Sequence, residues 1–127
     1  VSESQVINSL MRWLYLHGLE PIRNNTGAFK KTYRSKKTGL ETTHFVRVGR
    51  KGSGDILVCG RTGRWIEIEA KDGSGVQRPE QIDRQRHVEA LGGVYILARS
   101  IDDLENRKDV ILGASGQNGI SSSKPAG

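Results

Sequence analysis

The sequence predicts an α/β domain, a small mixed central sheet flanked by helices, and three observations predict it. Residues 54–71 read as two strands joined by a Gly-containing turn, Gly60-Arg61-Thr62-Gly63. Two segments, starting near Ser2 and Pro79, carry helix start and stop signals around inward-facing apolar residues. Val94-Tyr95-Ile96-Leu97-Ala98 is a continuous apolar run of strand length. The order helix, strands, helix, strand, helix makes the second helix a crossover between the hairpin and that last run.

The first helix starts at Ser2, with Gln5 as its capping-box partner, and runs to about His17, where Gly18 is placed to stop it. Ile7, Leu10 and Leu14 form one stripe at helical spacing, flanked by Val6, Met11 and Trp13. Counting back four residues puts Glu3 on the same stripe. There it either meets solvent at the core's rim, where an acid suits the helix dipole, or lines a cleft. Pro21–Asn25 reads as a short extended segment that enters a loop at Thr26-Gly27. Residues 30–37 carry five positive charges around Tyr33, with Phe29 just before; they are either a solvated loop or a phosphate grip with a ring for stacking.

His44–Val48 alternates like a strand. The basic, glycine-rich turn Gly49–Gly54 follows it, without P-loop spacing or a following helix. The second helix opens with Pro79 and reaches about Leu91, ended by Gly92-Gly93. Gln81, Val88 and Leu91 fall near one of its faces, which carries the Gln81 amide inward. Arg78, Arg84 and Arg86 decorate the helix, with a solvated face as the default for most of them. The run Val94–Ala98 suits a central strand covered on both faces. Ser100 with Asp103 caps a last helix from about Ile101 to Leu112. Residues 1–113 thus form one domain, and residues 114–127 are a Gly/Ser-rich tail of disordered composition.

Composition narrows the classes. The 127 residues suffice for one core, and 20 Lys and Arg against 14 Asp and Glu give a charge of +6, which favours a polyanionic partner. No apolar run approaches the roughly 18 residues of a membrane span and no signal-peptide pattern opens the chain, so the expectation is a cytoplasmic, unsecreted protein. The single cysteine, Cys59, rules out an internal disulfide and reads as a buried, inert thiol. With three scattered histidines (His17, His44 and His87) it does not make a structural zinc site.

Residues i and i+2 of a strand share a face, so Glu69 and Lys71 point the same way. If the strands pair, Asp55 at the head of the first comes close to both. Two carboxylates and an ammonium at one spot form a site for a divalent cation such as Mg²⁺, with the Ala70 carbonyl as a further oxygen. Lys71 would orient water or balance charge beside a phosphate, and Gln81 would hold a water or steady Lys71. The competing reading is an ordinary cross-face ion pair on an amphipathic strand, and Glu67, on the same face, reads as an ordinary face charge. The order Gly-Asp, hairpin, Glu-x-Lys, with thirteen residues between the acids, is more specific. So are Gln81 heading the next helix and Glu3 on the first.

These residues carry a resemblance that covers most of the chain. Ser2-Glu3-Ser4-Gln5, Arg23-Asn24-Asn25-Thr26-Gly27-Ala28, Gly52-Ser53-Gly54-Asp55, Ile66-Glu67-Ile68-Glu69-Ala70-Lys71, Arg78-Pro79-Glu80-Gln81 and Leu91-Gly92-Gly93 together resemble a stand-alone VRR-NUC domain. This is the virus-type replication-repair nuclease branch of the PD-(D/E)xK superfamily. The resemblance implies a restriction-endonuclease-like core, metal ligands at Asp55, Glu69 and the Ala70 carbonyl, a catalytic Lys71, and supporting roles for Gln81 and Glu3. It further implies a Mg²⁺- or Mn²⁺-dependent endodeoxyribonuclease of DNA repair and recombination, in a bacterial or phage-infected cell. Phage-type stand-alone members resemble Holliday-junction resolvases, which cut branched DNA as homodimers. The DNA-binding surface is expected at Arg23, Asn25, Lys30, Lys31, Arg34, Lys36, Lys37, Arg47, Arg50 and Lys51. The sequence departs from the pattern at Gly54, where the superfamily name expects proline, and at Arg78, where a small helix cap is common. Two competing readings are a non-catalytic nucleic-acid-binding module using the same basic segments and, on charge alone, a small RNA-binding structural protein.

Overall fold

A computed structural model describes residues 1–25 and 27–113, apart from the side chains of residues 27–29 and of Arg47. The expectations for Thr26, for the Arg47 side chain and for the tail 114–127 lie outside the described residues. The elements are α1 (Glu3–Leu16), β1 (Ile22–Arg23), β2 (Gly27–Arg34), β3 (Glu41–Val48), β4 (Ile56–Cys59), β5 (Trp65–Ala70), α2 (Pro79–Ala90), β6 (Val94–Ala98), α3 (Ile101–Glu105) and α4 (Lys108–Leu112).

Helix α1 starts where its capping box predicts. Gln5 N–H donates to Ser2 Oγ at 3.2 Å, and Ser2 N–H donates to Gln5 Oε1 at 2.8 Å. Its stripe of Val6, Ile7, Leu10, Trp13 and Leu14 is buried. That stripe packs on a four-stranded sheet of order β1-β4-β5-β6, antiparallel except for the parallel pair β5–β6. Ile56 and Val58, Ile66, Ile68 and Ala70, and Val94, Ile96 and Ala98 line the covered face, closed by Leu104 of α3 and Ile111 of α4. The opposite face is covered by α2 and is polar: the buried polar or charged residues among those described are Glu67, Glu69, Lys71 and Gln81. The sheet therefore has an oily side that holds the fold and a charged side that holds a site. Among the described residues no helix is long and apolar enough to cross a membrane.

Four expectations are corrected. Residues 30–37 are not a loop, because β2 pairs with β3 over eight residues from Gly27↔Val48 to Arg34↔Glu41. The strand is hard to read because Lys30 through Arg34 are exposed on both faces, which leaves no apolar alternation. The run Val94–Ala98 is covered on both faces by helices, as expected, yet it is the sheet's last strand and not a central one. The predicted last helix is two short helices broken at Asn106-Arg107, where Arg107 N–H bonds the Leu104 carbonyl three residues back and tightens the turn. Cys59 is exposed, because it ends β4 on the face turned from the core, beyond the cover of α2.

Burial separates two leucines that lie close together on α1. Leu14 is 0% exposed and Leu16 is 72% exposed. Leu14→Ala is expected to lower the unfolding free energy by about 2–5 kcal/mol, and Leu16→Ala to stay within about 0.5 kcal/mol of the parent. Urea denaturation of the two variants checks this.

Candidate active site

The pairing of β4 with β5 builds the site. Ile56 stands across from Ile68, so the same register carried one residue further sets Asp55 opposite Glu69. Asp55 Oδ2 accepts the Ala70 N–H at 2.8 Å, which locks the first acid onto the strand of the second. A strand residue's N–H and C=O point the same way, so the Ala70 carbonyl is also aimed toward Asp55. Glu69 is 3% exposed, and Lys71 Nζ lies 3.6 Å from Glu69 Oε2. The Tyr95 hydroxyl donates to the Gly52 carbonyl at 3.0 Å and lies 3.5 Å from Glu69 Oε1.

The buried Glu69 carboxyl stands beside the half-buried Asp55. Burial and then the neighbouring Asp55 push the Glu69 carboxyl up to about 8, while Lys71 pulls the other way. Burial and the charge of Glu69 likewise raise the Tyr95 hydroxyl, which stays a neutral donor. The donor set fits a divalent cation: two carboxylates and a carbonyl are hard oxygen ligands, and a cation would relieve the repulsion that holds Glu69 up. No three His, Cys, Asp or Glu side chains gather as a complete cage among the described residues.

The remaining predicted residues fall into two groups. Glu3 is exposed at the start of α1 and its charge helps raise Glu69; among the described residues it makes no bond to Asp55, Glu69 or Lys71. Gln81 is buried, but its Oε1 accepts the Arg78 N–H at 2.9 Å and caps α2; among the described residues it makes no bond to Lys71. Arg23 braces the acidic segment, donating to the Asp55 carbonyl at 3.1 Å with its guanidinium 3.9 Å from Asp55 Oδ1. Asn25, Lys30, Lys31, Arg34, Lys36, Lys37, Arg50 and Lys51 are exposed.

The residue that sequence reasoning misplaced is Glu67. It is no face charge: it is 0% exposed and its carboxylate gathers five donors. Gly54 N–H donates to Oε1 at 3.0 Å and Ser53 Oγ at 3.1 Å, Trp65 Nε1 donates to Oε2 at 2.8 Å, and Arg84 of α2 donates to both oxygens. Asn24 completes the network, donating from Nδ2 to the Gly54 carbonyl at 2.8 Å and to Ser53 Oγ at 3.1 Å. The segment that carries Asp55 is thereby tied to β5, to α2 and to the end of β1. A signal was available, since Arg84 lies three residues after Gln81 and four before Val88, on the same inward face of α2.

The network also explains Gly54. A Cβ there would sit 2.8 Å from the Ile68 nitrogen, and proline would lose the N–H given to Glu67. Glycine is the residue that this close approach allows.

Burial alone would raise the Glu67 carboxyl, but Arg84, Gly54 and Trp65 hold it below its ordinary value of 4.5. A depressed folded value stabilises the fold at and above that pH, and the stabilisation is lost as pH falls through the lower folded value. Glu67→Ala, which strands Arg84, is expected to cost about 3–5 kcal/mol. Glu67→Gln is expected to flatten the acid limb of a plot of thermal midpoint against pH, which scanning calorimetry from about pH 7 to 3 would record. An unchanged acid limb would remove Glu67 from the pH dependence.

No family model matches the chain, and no curated protein matches it in sequence. Among solved structures it is similar to a "VRR_NUC domain protein", at 18% identity and a TM-score of 0.53, over 98% of this chain and 97% of that one. The chain therefore has the fold of a VRR_NUC domain protein.

Proposed function

We propose that the protein is a Mg²⁺- or Mn²⁺-dependent DNA endonuclease that hydrolyses phosphodiester bonds in branched DNA such as four-way junctions, acting as a homodimer. The observation that carries this reading is the convergence of Asp55, Glu69 and Lys71 on the charged side of the sheet. The fold shared with a VRR_NUC domain protein and the net charge of +6 support it.

Asp55, Glu69 and the Ala70 carbonyl would hold the cation, which when bound supplies Lewis-acid stabilisation of the phosphate's charge and a more acidic water. The chain's own residues do the rest. The Ala70 N–H fixes Asp55 before substrate arrives, while Lys71 and the Tyr95 hydroxyl flank Glu69 at 3.6 and 3.5 Å. Lys71 is 5% exposed, and its ammonium offsets the Glu69 charge and meets the negative charge that grows on the phosphate during attack. Water adds to phosphorus as the opposite P–O bond breaks, leaving one strand end with a phosphate and the other with a hydroxyl. One small chain has one such site, and two symmetric nicks in a four-way junction need two, which a two-fold pair supplies.

Purified protein should nick an end-labelled four-way junction with Mg²⁺ or Mn²⁺ and stop on addition of EDTA. Lys71→Ala and Asp55→Ala should each lose about 100-fold or more in rate while still binding the junction, as expected when a positioned catalytic group is removed. Cutting that survives either substitution would sink the site assignment. Binding of junction, flap and linear DNA without cleavage of any would support the non-catalytic binding module instead.

A further inference from the structure

We propose that the β2–β3 hairpin is an arm that grips double-stranded DNA in its groove and presents it to the Asp55–Glu69 pocket. This rests on the nucleic-acid half of the function proposed above and not on cleavage. The two strands pair over eight residues, a ribbon of about 27 Å at roughly 3.4 Å per residue. Their extensive contacts are with each other, and residues 30–45 of the ribbon are exposed on both faces. Residues 30–45 hold five cations and one acid, and that acid, Glu41, is engaged by Arg34 at 2.7 Å.

Each face carries a ring beside an ammonium. Lys30 Nζ lies 5.9 Å from the Phe45 ring on one face, and Lys31 Nζ lies 5.9 Å from the Tyr33 ring on the other. Phe45 is 73% exposed and Tyr33 is 52% exposed, so neither ring serves the core.

Charge selects the occupant. A second copy of this ribbon would bring five cations against five, whereas a polyanion neutralises them. Width selects among polyanions. The major groove of B-DNA, about 12 Å across, admits a two-stranded ribbon, and the deep, narrow groove of duplex RNA does not.

The ribbon is also aimed. Its entering leg follows Asn24, whose N–H donates to the Asp55 carbonyl at 2.7 Å. Its leaving leg runs through Gly52 and Ser53 to Gly54. Gly52 has a φ of +82° and lies against the Glu80 backbone of α2, where a Cβ has no space. Both legs are thus clamped beside Asp55, while the far end extends away from the core.

The test is fluorescence anisotropy of a labelled 30-base-pair (~30 bp) duplex and a four-way junction, titrated in EDTA at several salt concentrations. Joint Lys30→Gln and Lys31→Gln should weaken duplex binding and lower the slope of log Kd against log salt by about 1.8. Joint Tyr33→Ser and Phe45→Ser should weaken it roughly tenfold with the slope unchanged, because apolar contact with base edges is lost and no charge is. Joint Arg12→Gln and Lys108→Gln removes the same charge outside the ribbon and should change affinity less than about twofold. Equal losses from the ribbon and control pairs, or no loss from the ribbon pairs, overturn the arm. So does tighter binding of duplex RNA, or a ribbon variant whose sedimentation shows a lost dimer that fully accounts for its weaker binding. Wild-type protein that binds through the ribbon yet never cuts leaves the arm standing and removes the endonuclease. Wild-type protein that cuts, with ribbon variants that bind as well as the parent, removes the arm alone.

Discussion

A carboxylate shut away from water must find its partners inside the protein, and Glu67 draws them from several separate pieces of chain. Gly54 and Ser53 come from the segment before β4, Trp65 from its own strand and Arg84 from α2. An ion pair this buried adds little net stability over an apolar packing of equal shape, but removing one partner is costly. Its contribution here is one of position. It fixes where the Asp55 segment lies relative to β5, and Glu69 sits two residues further along that strand on the same face. The acidic pocket therefore inherits its geometry from a group that takes no part in the chemistry proposed for it.

The two faces of the sheet divide the work. On the apolar side, α1, α3 and α4 bury Leu10, Leu14, Leu104 and Ile111 against alternate residues of three strands. On the other side the same strands present Glu67, Glu69 and Tyr95 to α2, where each polar group has to be matched. The period-2 alternation of β5 is thus a division between fold and site written within six residues. It also explains how a site of high electrostatic cost is tolerated, because the oily face supplies the stability that the polar face consumes.

Legibility in the sequence followed the same division. Elements with a buried face announced themselves: the capped stripe of α1, the hairpin of β4 and β5, Pro79 opening α2 and the apolar run of β6 all stand where their residues put them. The Asp55, Glu69 and Lys71 trio was readable because strand alternation and pairing are local rules. What was hidden depends on contacts between distant residues or on the lack of a buried face. Glu67 and Glu69 are two residues apart with the same alternation, and donors as distant as Gly54, thirteen residues away, and Arg84, seventeen away, distinguish a hub from a surface charge. The β2–β3 ribbon, wet on both sides, left no apolar period to read. Cys59 looked buried because its neighbours are apolar, yet a strand's last residue can outrun the helix that covers it.

The clamped legs of the ribbon have a consequence for how this protein can change over time. Asn24 at one leg and Gly52 with Ser53 at the other are held by bonds that do not involve the intervening strands. The chain between them can be lengthened, trimmed or replaced with only a logarithmic cost in loop entropy, and with no repacking of the core. Such a segment is free to drift quickly while the acids beside it stay fixed. In a lineage descended from this protein, divergence should concentrate between the two anchors, and a new preference in what is bound could arise there without rebuilding the pocket.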